Sequence, residues 1–200
     1  MRILLATRND HKTTEIAAAL RGRAEVIDLR ALPALVDDIP ETGHTFVDNA
    51  FEKARFVAGW LADRGDTDTW VAADDSGIEV DALGGAPGVF SKRFSPEGTD
   101  EANNALLLAK LTGRTDRTAR YRCVIAVVGP TDEFVVDGAC EGTIGLDGRG
   151  SGGFGYDPYF CPVEAPGRTM AELTLAEKNA ISHRGRAVER LTARLAQETP

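Results

Sequence analysis

Two adjacent carboxylates, Asp74 and Asp75, are the side chains of this sequence best suited to chemistry. They follow the apolar run Trp70 to Ala73 and precede Ser76 and Gly77. Two like charges side by side raise the cost of ionising each other unless a cation or strong donors offset it. A hard divalent cation such as Mg²⁺ is a natural partner, because it takes oxygen ligands and keeps waters and substrate phosphates. The alternative is ordinary turn chemistry, in which aspartates bond to their own backbone and glycine takes a positive φ.

The residues around this pair predict that it lies where a strand ends. Trp70 to Ala73 has the composition of a short buried strand, and Ile78 to Val80 has the period-2 alternation of a second strand. Open α/β sheets bind their ligands at strand ends. A glycine-rich bend from Leu83 to Gly88 follows, and Ser91 to Arg93 is expected to bring positive charge back toward the pair.

A second candidate site lies at the start of the chain. Arg2 to Ala6 is predicted to be a strand, and a polar turn then leads into an amphipathic helix. The N-terminus of a helix offers unpaired N–H groups and the positive end of its dipole to an anion such as phosphate. Thr7, Asn9 and Lys12 can add side-chain donors there. The alternative is that Asn9 only caps the helix and that Lys12 is solvated.

The strongest helical pattern of the sequence starts after Thr45, which with Asp48 resembles a capping box. Its apolar stripe at helical spacing consists of Phe46, Ala50, Ala54, Val57 and Leu61. Asn49 and Lys53 lie four residues apart and share a different face. From that face Lys53 can reach a phosphate beside Glu41, the alternative being a solvated lysine.

A glycine-rich segment, Gly145 to Gly155, leads into Tyr156 and Asp157. Glycine lets the backbone approach a ligand closely. The ring of Phe154 or Tyr156 offers a purine a stacking surface worth ~1–3 kcal/mol, and Asp157 with nearby backbone groups can read the edge of the base. The alternative is that the two aromatic residues simply enter the strand that follows.

The remaining elements supply the scaffold. Strands are predicted at Ala24 to Leu29, Arg120 to Val128 and Glu133 to Ile144, helices at Thr99 to Leu111, Leu173 to Asn179 and after Ser182, and a loop from Arg30 to Thr42. The last two strands form a hairpin through the turn residues Gly129 to Asp132, and we assign them no chemistry. Early strand and helix alternation with a late hairpin predicts an α/β fold with a long central mixed β-sheet.

Composition limits the class of protein. The chain has 200 residues, a formal net charge of −8 and 42% hydrophobic residues, which fits one globular domain. The negative charge argues against sequence-independent binding to DNA or RNA. Cys123, Cys140 and Cys161 are odd in number and lack C-x-x-C spacing, which predicts reduced cysteines of a cytoplasmic chain. We find no signal sequence and no apolar run long enough for a membrane span.

The motifs together resemble the inosine/xanthosine triphosphate pyrophosphatase family, also called Ham1-like or non-canonical purine NTP pyrophosphatases. The resemblance runs from Leu4 to about Leu195. It is carried, in the family order, by the blocks ETGHTFVDNAFEKAR, ADDSG, LGGAPGVFSKRF, GGFGYDPYF and EKNAISHRG. Ordered blocks over nearly the whole chain are far more specific than any one of these motifs.

The resemblance implies a fold, a reaction and a set of site residues. It implies one bilobed domain over residues 1–200 with a nucleotide cleft between the lobes, and a homodimer. The implied reaction is Mg²⁺-dependent hydrolysis of ITP, dITP and XTP to the monophosphate and pyrophosphate, which cleanses the nucleotide pool. Asp75 is implied as the general base, and Glu41 and Asp75 as the Mg²⁺ ligands. The implied substrate-binding residues are Thr7, Arg8, Asn9, Asp10, His11, Lys12, Lys53, Ser76, Phe154, Gly155, Tyr156, Asp157, Lys178, His183 and Arg184.

The preference for inosine and xanthosine nucleotides has a physical interpretation. Both bases carry a carbonyl at position 6, where adenine carries an amino group. Donors such as backbone N–H groups or Arg184 pair with the carbonyl but face another donor in adenine. Arg8 stands where the family often has glycine, so its direction is left open.

Two alternative functions remain open, and so does the choice of the phosphorus atom that water attacks. The first is a Maf-like pyrophosphatase, which shares the two-lobed plan but prefers pyrimidine or modified nucleotides. The second is a nucleotide-sensing module without turnover, although a module that only binds phosphate gains little from the carboxylates Asp75 and Glu41. Attack at the α-phosphorus is our preference, and attack at the β-phosphorus is the alternative.

Overall fold

The structure is a computed structural model that describes residues 2–32, 36 and 39–198. In these ranges the strands are β1 (Arg2–Leu5), β2 (Glu25–Asp28), β3 (Trp70–Val80), β4 (Thr118–Val128), β5 (Glu133–Ile144) and β6 (Phe160–Pro162). The α-helices are α1 (Asp10–Ala19), α2 (Phe46–Ala62), α3 (Asp100–Lys110), α4 (Leu175–Ile181) and α5 (His183–Glu198). Short 3₁₀ helices occupy Leu29–Ala31, Asp81–Leu83, Gly88–Arg93 and Met170–Glu172.

The strands form a six-stranded sheet in the order β2-β1-β3-β4-β5-β6. Strand β1 pairs in parallel with both β2 and β3, whereas β5 pairs antiparallel with β6. Strands β4 and β5 are neighbours in the sheet, and Gly129 N–H donates to the Asp132 carbonyl in the turn between them. The predicted α/β class, mixed sheet and hairpin are therefore confirmed.

The chain divides into two compact units, which we describe separately. The first consists of residues 1–75, 123–137 and 184–200, and the second of residues 76–122 and 138–183. The unit boundaries fall inside β3, β4 and β5 and after the first residue of α5. The single bilobed domain and the nucleotide cleft between its lobes stay predictions.

Strand β3 corrects the prediction made for the acidic pair. Trp70 to Val80 is one continuous strand of 11 residues, so Asp74 and Asp75 lie inside a strand and not at the end of one. The strand that ends near the pair is the parallel neighbour β1, whose Leu5 is level with Ala72. The next backbone N–H, that of Ala6, donates to the Ala72 carbonyl at 2.8 Å. The carboxylates thus extend just beyond the carboxyl end of β1, which is where parallel sheets bind ligands.

The first unit buries both faces of its strands. On one face Ile3, Leu5 and Ala72 pack with apolar residues of α1 and α5. The predicted apolar stripe of α2 is buried at every position, and Asn49 and Lys53 on the same helix are buried as well. Side chains alternate between faces along a strand, so Asp74 lies on the side of Ala72 and Asp75 on the opposite side.

The second unit has its own apolar core. It is made by β3 residues beyond the acidic pair, by α3, β4, β5 and β6, and by the segments before and after β6. Its fully or nearly buried members include Ile78, Val80, Leu107, Tyr121, Cys140, Ile144, Tyr156, Phe160 and Met170. Helix α3 begins after the N-cap Thr99, close to the predicted start, and α4 begins after Thr174, two residues later than Leu173 suggested.

Other sequence predictions are met with small corrections. Strand β2 is shorter than Ala24 to Leu29, because Leu29 already starts a 3₁₀ turn capped by Asp28. The predicted loop from Arg30 to Thr42 includes residues 33–35, 37 and 38, which lie outside the described residues. None of the three cysteines forms a disulfide within the described residues, and Cys123 and Cys140 are buried in β4 and β5. Among the helices described, none is long and apolar enough to cross a membrane.

Candidate functional site

Helix α1 begins at a cap that also orders a lysine. Asn9 accepts hydrogen bonds from the backbone N–H groups of His11 at 3.0 Å and Lys12 at 3.3 Å. Its own N–H donates to Thr7 Oγ1 at 3.1 Å. Asn9 therefore caps the helix, and its predicted contact with a phosphate stays a prediction. The solvated alternative for Lys12 is wrong, because its Nζ lies 3.0 Å from Asp74 Oδ1 and its side chain is only 17% exposed.

The other residues predicted in this turn have separate contacts. The Arg8 side chain, whose direction the sequence left open, donates to the backbone carbonyl of Val36 in this structure. Asp10 forms an exposed ion pair with Arg30. The side chain of His11 is exposed. Lys12 is thus the cation of this segment that points at the acidic pair.

Asp74 is the centre of a buried ionic network in the first unit. Lys12 binds one carboxylate oxygen, and the Arg184 guanidinium donates to the other at 3.3–3.4 Å. Arg184 also pairs with Glu15 of α1 and is 1% exposed. Burial alone would raise the pKa of Asp74, but the charges of Lys12 and Arg184 outweigh it and hold that pKa well below its ordinary value. Asp74 therefore stays ionised.

Asp75 has a different environment on the opposite side of the strand. Lys53 Nζ lies 3.0 Å from its Oδ1, and Asn49 Nδ2 donates to its Oδ2 at 3.1 Å. The same Lys53 Nζ lies 2.8 Å from Glu41 Oε1. Burial raises the pKa of Asp75 despite the opposing effect of Lys53. Burial by itself lowers the pKa of Lys53, but Asp75 and Asp74 with Glu41 outweigh that effect and raise it.

The geometry revises the interpretation of the acidic pair. The two carboxylates have different nearest partners, since Asp74 binds Lys12 and Arg184 while Asp75 binds Lys53 and Asn49. Alternation along β3 separates their side chains, so a single strand delivers two carboxylates to two environments. The lysines of α1 and α2 each neutralise one of them.

The oxygen atoms around Lys53 fit a hard divalent cation. Mg²⁺ is usually held through one or two carboxylates together with waters and substrate phosphates, and Glu41 and Asp75 supply two carboxylates at one point. Residues 2–32, 36 and 39–198 contain no group of three or more His, Cys, Asp or Glu side chains placed to hold a metal ion.

In the second unit a cluster forms around Asp157, which is 3% exposed. Lys178 Nζ lies 2.7 Å from its Oδ2, and the backbone N–H of Phe154 donates to the same atom at 3.0 Å. The hydroxyl of Tyr121 donates to Oδ1 at 3.1 Å. Lys178 Nζ also lies 5.1 Å from the centre of the Phe154 ring, a cation–π distance. The predicted residues Phe154, Asp157 and Lys178 are thus brought together.

The loop that carries Phe154 is fastened to α3. The N–H of Gly155 donates to Asp100 at 2.7 Å, and Asn104 Nδ2 donates to the Gly155 carbonyl at 2.8 Å. At Gly153, φ is +73° and a Cβ would lie 2.0 Å from Asp157 Oδ2. Glycine at that position is what allows the carboxylate to fold back under its own loop.

The other predicted residues of the second unit have distinct environments. The Tyr156 side chain belongs to the core, where its hydroxyl donates to the Ser91 carbonyl at 2.8 Å. His183 stacks on the Tyr121 ring with centroids 4.6 Å apart. Ser76 follows Asp75 in β3 and is half-buried. Lys92 forms an exposed ion pair with Asp100. The expectation that Ser91 to Arg93 brings positive charge toward the acidic pair stays a prediction.

Arg184 belongs to the first unit, where it pairs with Asp74 and Glu15. Asp74 also binds Lys12. The prediction that Arg184 donates to a base stays a prediction.

Sequence reasoning did not assign a role to three residues that belong to the two clusters. It placed Asn49 on the same helical face as Lys53, one turn earlier, but gave it no contact. Glu15 and Tyr121 had no usable signal, since their partners are more than 30 residues away in the chain.

Comparison with known proteins identifies what the chain is similar to. A family model described as "Ham1 family" matches residues 3–194. A dITP/XTP pyrophosphatase of Exiguobacterium sp. is 46% identical over 98% of this chain and 97% of its own length. A dITP/XTP pyrophosphatase of Geobacter sulfurreducens is 46% identical over 94% of this chain and 92% of its own length.

Solved structures of similar sequence share the fold. The Ham1 protein of Staphylococcus aureus matches with a TM-score of 0.84 and 38% identity, covering 100% of both chains. A HAM1 protein of Coxiella burnetii matches with a TM-score of 0.85 and 40% identity, covering 98% of this chain and 99% of its own.

Proposed function

Because the chain belongs to the Ham1 family, we propose that it is a nucleoside triphosphate pyrophosphatase acting on non-canonical purine nucleotides. It hydrolyses dITP, ITP and XTP to the monophosphate and pyrophosphate. The observation that carries this proposal is Asp75, a buried carboxylate that is held by two donors beside Glu41. A carboxylate placed in this way is suited to take a proton from water.

The phosphate end of the substrate is assigned to the first unit. Lys12 and Lys53 are the cations on the two sides of the acidic pair, and both are held in place by carboxylates. Fixed positive charges stabilise the charge that develops on phosphate oxygens during cleavage. Asp75 acts as the general base on the attacking water, and attack at the α-phosphorus gives the monophosphate directly.

We propose Mg²⁺ as the cofactor, held by Glu41 and Asp75. When bound, the ion neutralises phosphate charge and acts as a Lewis acid. Lys53 contacts both carboxylates in this structure, so it fixes their separation and orientation. Asn49 fixes the second oxygen of Asp75.

The base end of the substrate is assigned to the cluster around Asp157. Lys178 supplies donors and Asp157 supplies acceptors next to each other, and Phe154 supplies a ring on which a purine can stack. Hypoxanthine and xanthine carry an acceptor at O6 beside a donor at N1, the complement of this pair. Adenine carries a donor at position 6 beside an acceptor at N1, so both contacts are mismatched.

A substrate panel tests the proposal. Pyrophosphate release is measured from inosine, xanthosine, adenosine and guanosine triphosphates, with Mg²⁺ and with a chelator. We expect the highest kcat/KM for the inosine and xanthosine nucleotides and a loss of activity with the chelator. Preference for pyrimidine nucleotides would favour a Maf-like enzyme, and tight binding without turnover would favour a nucleotide sensor.

Isotope-labelled water locates the attacked phosphorus. With ¹⁸O-water, attack at the α-phosphorus puts the label in the monophosphate, whereas attack at the β-phosphorus puts it in pyrophosphate. We expect the label in the monophosphate. Release of orthophosphate as the first product would contradict both versions of the proposal.

A further inference from the structure

Tyr121 of β4 contacts two of the residues assigned to the base, although nothing in its local sequence suggested a role. Its hydroxyl donates to Asp157 Oδ1 at 3.1 Å. Its ring stacks on the His183 imidazole with centroids 4.6 Å apart and planes at 12°. Phe160 packs against the same ring with centroids 4.6 Å apart and planes at 56°. Tyr121 is 7% exposed, so all these contacts are made in the interior of the second unit.

The donors on Asp157 hold the carboxylate from both of its oxygens. Lys178 and the Phe154 N–H approach Oδ2, and Tyr121 approaches Oδ1. The two donors at Oδ2 already restrict rotation about the bond between Cβ and Cγ, and the Tyr121 hydroxyl holds the second oxygen, Oδ1. With donors on both oxygens, the remaining lone pairs of Asp157 have a fixed direction.

We infer that Tyr121 is a positioning residue that determines base selectivity by orienting Asp157 and His183. The inference rests on the proposed function and adds to it the residue that makes the acceptor directional. An acceptor with a fixed direction distinguishes a base with N1–H from a base with an N1 lone pair. A freely rotating carboxylate or an intervening water would accommodate both.

The hydroxyl is not required to fill the core. A phenylalanine occupies nearly the same volume and retains the ring contacts with His183 and Phe160. A buried hydroxyl is costly unless it is hydrogen-bonded, and here its bond is made to a charged acceptor. The hydroxyl can therefore be tested separately from the ring.

Tyr121→Phe is the first test, with steady-state kinetics on inosine and adenosine triphosphates. We expect kcat/KM for inosine triphosphate to fall about tenfold, mostly through KM, while the value for adenosine triphosphate changes by less than about threefold. The ratio between the two substrates should narrow accordingly. Tyr159→Phe is the matched control, because it removes the hydroxyl of another tyrosine of the second unit, which lies against Gly148. It should retain the wild-type ratio.

A double-mutant cycle tests whether Tyr121 acts through Asp157. In an Asp157→Asn background, Tyr121→Phe should no longer change the ratio between the substrates, because coupled residues are not additive. If Asp157→Asn does not fold, calorimetric binding of inosine and adenosine monophosphates to wild type and Tyr121→Phe decides instead. The dissociation constant for inosine monophosphate should then rise about tenfold in the variant and that for adenosine monophosphate should not.

Failure of the inference differs from failure of the proposed function. Suppose that wild type cleaves inosine triphosphate and that Tyr121→Phe either lowers kcat/KM for both nucleotides by the same factor or changes it for neither. The inference is then overturned and the proposed function stands. If wild type does not discriminate between the two nucleotides, the proposed function itself fails.

Discussion

At the scale of single residues, Asp74 and Asp75 show how neighbours in a chain acquire different chemistry. Asp74 lies between Lys12 and Arg184, and these charges keep its pKa low. Asp75 is buried with a raised pKa, held by one lysine and one amide. Environments that separate the pKa values of two carboxylates allow one to stay ionised and the other to exchange a proton. We therefore propose that Asp75 transfers the proton and that Asp74 holds Lys12 in place by electrostatic attraction.

Asp75→Asn should abolish turnover while leaving the fold intact. The amide preserves the size of the side chain but removes the base, which typically contributes about 10²–10⁴-fold, and it weakens metal binding as well. The measurement is kcat with inosine triphosphate, together with circular dichroism to confirm folding. Asp116→Asn, in an exposed turn before β4, is the matched control and should keep wild-type activity. A variant at position 75 that retained more than about a tenth of the wild-type kcat would contradict the assignment.

Lys12→Ala and Lys53→Ala should each lower kcat/KM for all purine triphosphates by a similar factor, because both lysines are assigned to the phosphates. The loss should shrink as salt rises, since salt screens the attraction between lysine and phosphate. The measurement is kcat/KM for inosine and adenosine triphosphates at two ionic strengths, with exposed Lys110→Ala as the control. A change in the ratio between the two nucleotides would place the lysine at the base instead.

At the scale of elements, helix α2 organises the Asp75 side of the site. It carries Asn49 and Lys53 one turn apart, and Glu52 binds the backbone N–H and hydroxyl of Thr42 at 2.7 and 2.8 Å. That contact fastens the segment of Glu41 to the helix. Gly43 completes the fit, because a Cβ there would lie 2.6 Å from Asp48 Cβ and 2.8 Å from Asn49 Oδ1.

Gly43→Ala should displace this segment and move Glu41 away from Lys53. We expect the Mg²⁺ concentration for half-maximal activity to rise about tenfold or more, as is typical when the support of a metal ligand is disturbed. The matched control is Gly59→Ala on an exposed face of α2, where a Cβ meets nothing within 4 Å. It should raise the free energy of unfolding by roughly 0.5–1 kcal/mol without changing the metal requirement. Equal metal requirements in both variants would refute the role of Gly43.

The contacts at the start of α4 should make the stability of the folded protein depend on pH in the acid range. Glu177 forms a capping box with Thr174 and accepts from Arg168, and these contacts lower the pKa of Glu177 from its ordinary 4.5 to about 2. A lowered pKa in the folded state contributes stability above pH 4.5 that is lost as the pH falls toward 2. Glu177→Gln should therefore lower the Tm at pH 7, and the difference from wild type should shrink between pH 4.5 and 2.

Thermal unfolding across this pH range checks the prediction. The control is Glu97→Gln, an exposed glutamate of the second unit. A difference between Glu177→Gln and wild type that stayed constant with pH would show that the carboxylate charge does not stabilise the helix start. Added salt should also reduce the difference, because the pair is exposed.

At the scale of the whole molecule, we expect a homodimer in solution. The expectation comes from the family resemblance, and exposed apolar side chains of the second unit support it, since Phe90 is 52%, Leu146 75% and Val163 67% exposed. Sedimentation velocity or light scattering should give twice the mass of one chain at micromolar concentration. A single-chain mass at every concentration tested would contradict it. A cytoplasmic location likewise stays a prediction.

The sequence by itself determined the local elements and the identity of the motifs. The cap at Thr45, the buried stripe of α2 and the hairpin from β4 to β5 follow from signals contained in a few neighbouring residues. Such signals are reliable because capping, helical periodicity and turn chemistry depend on short-range geometry. The ordered motifs likewise indicated Asp75 and Lys53 without any structure.

Only the tertiary structure decided how these residues are used. The turn expected at Asp74 and Asp75 is a continuous strand. Strand β3 runs past the end of β1 and is also paired with β4, and sheet pairing overrides the local preference of Asp and Gly for turns. The partners of Arg184 and Tyr121 lie far away in sequence and are fixed by packing. A residue's neighbours in space set its pKa, its orientation and its partner, and a local sequence pattern contains none of these.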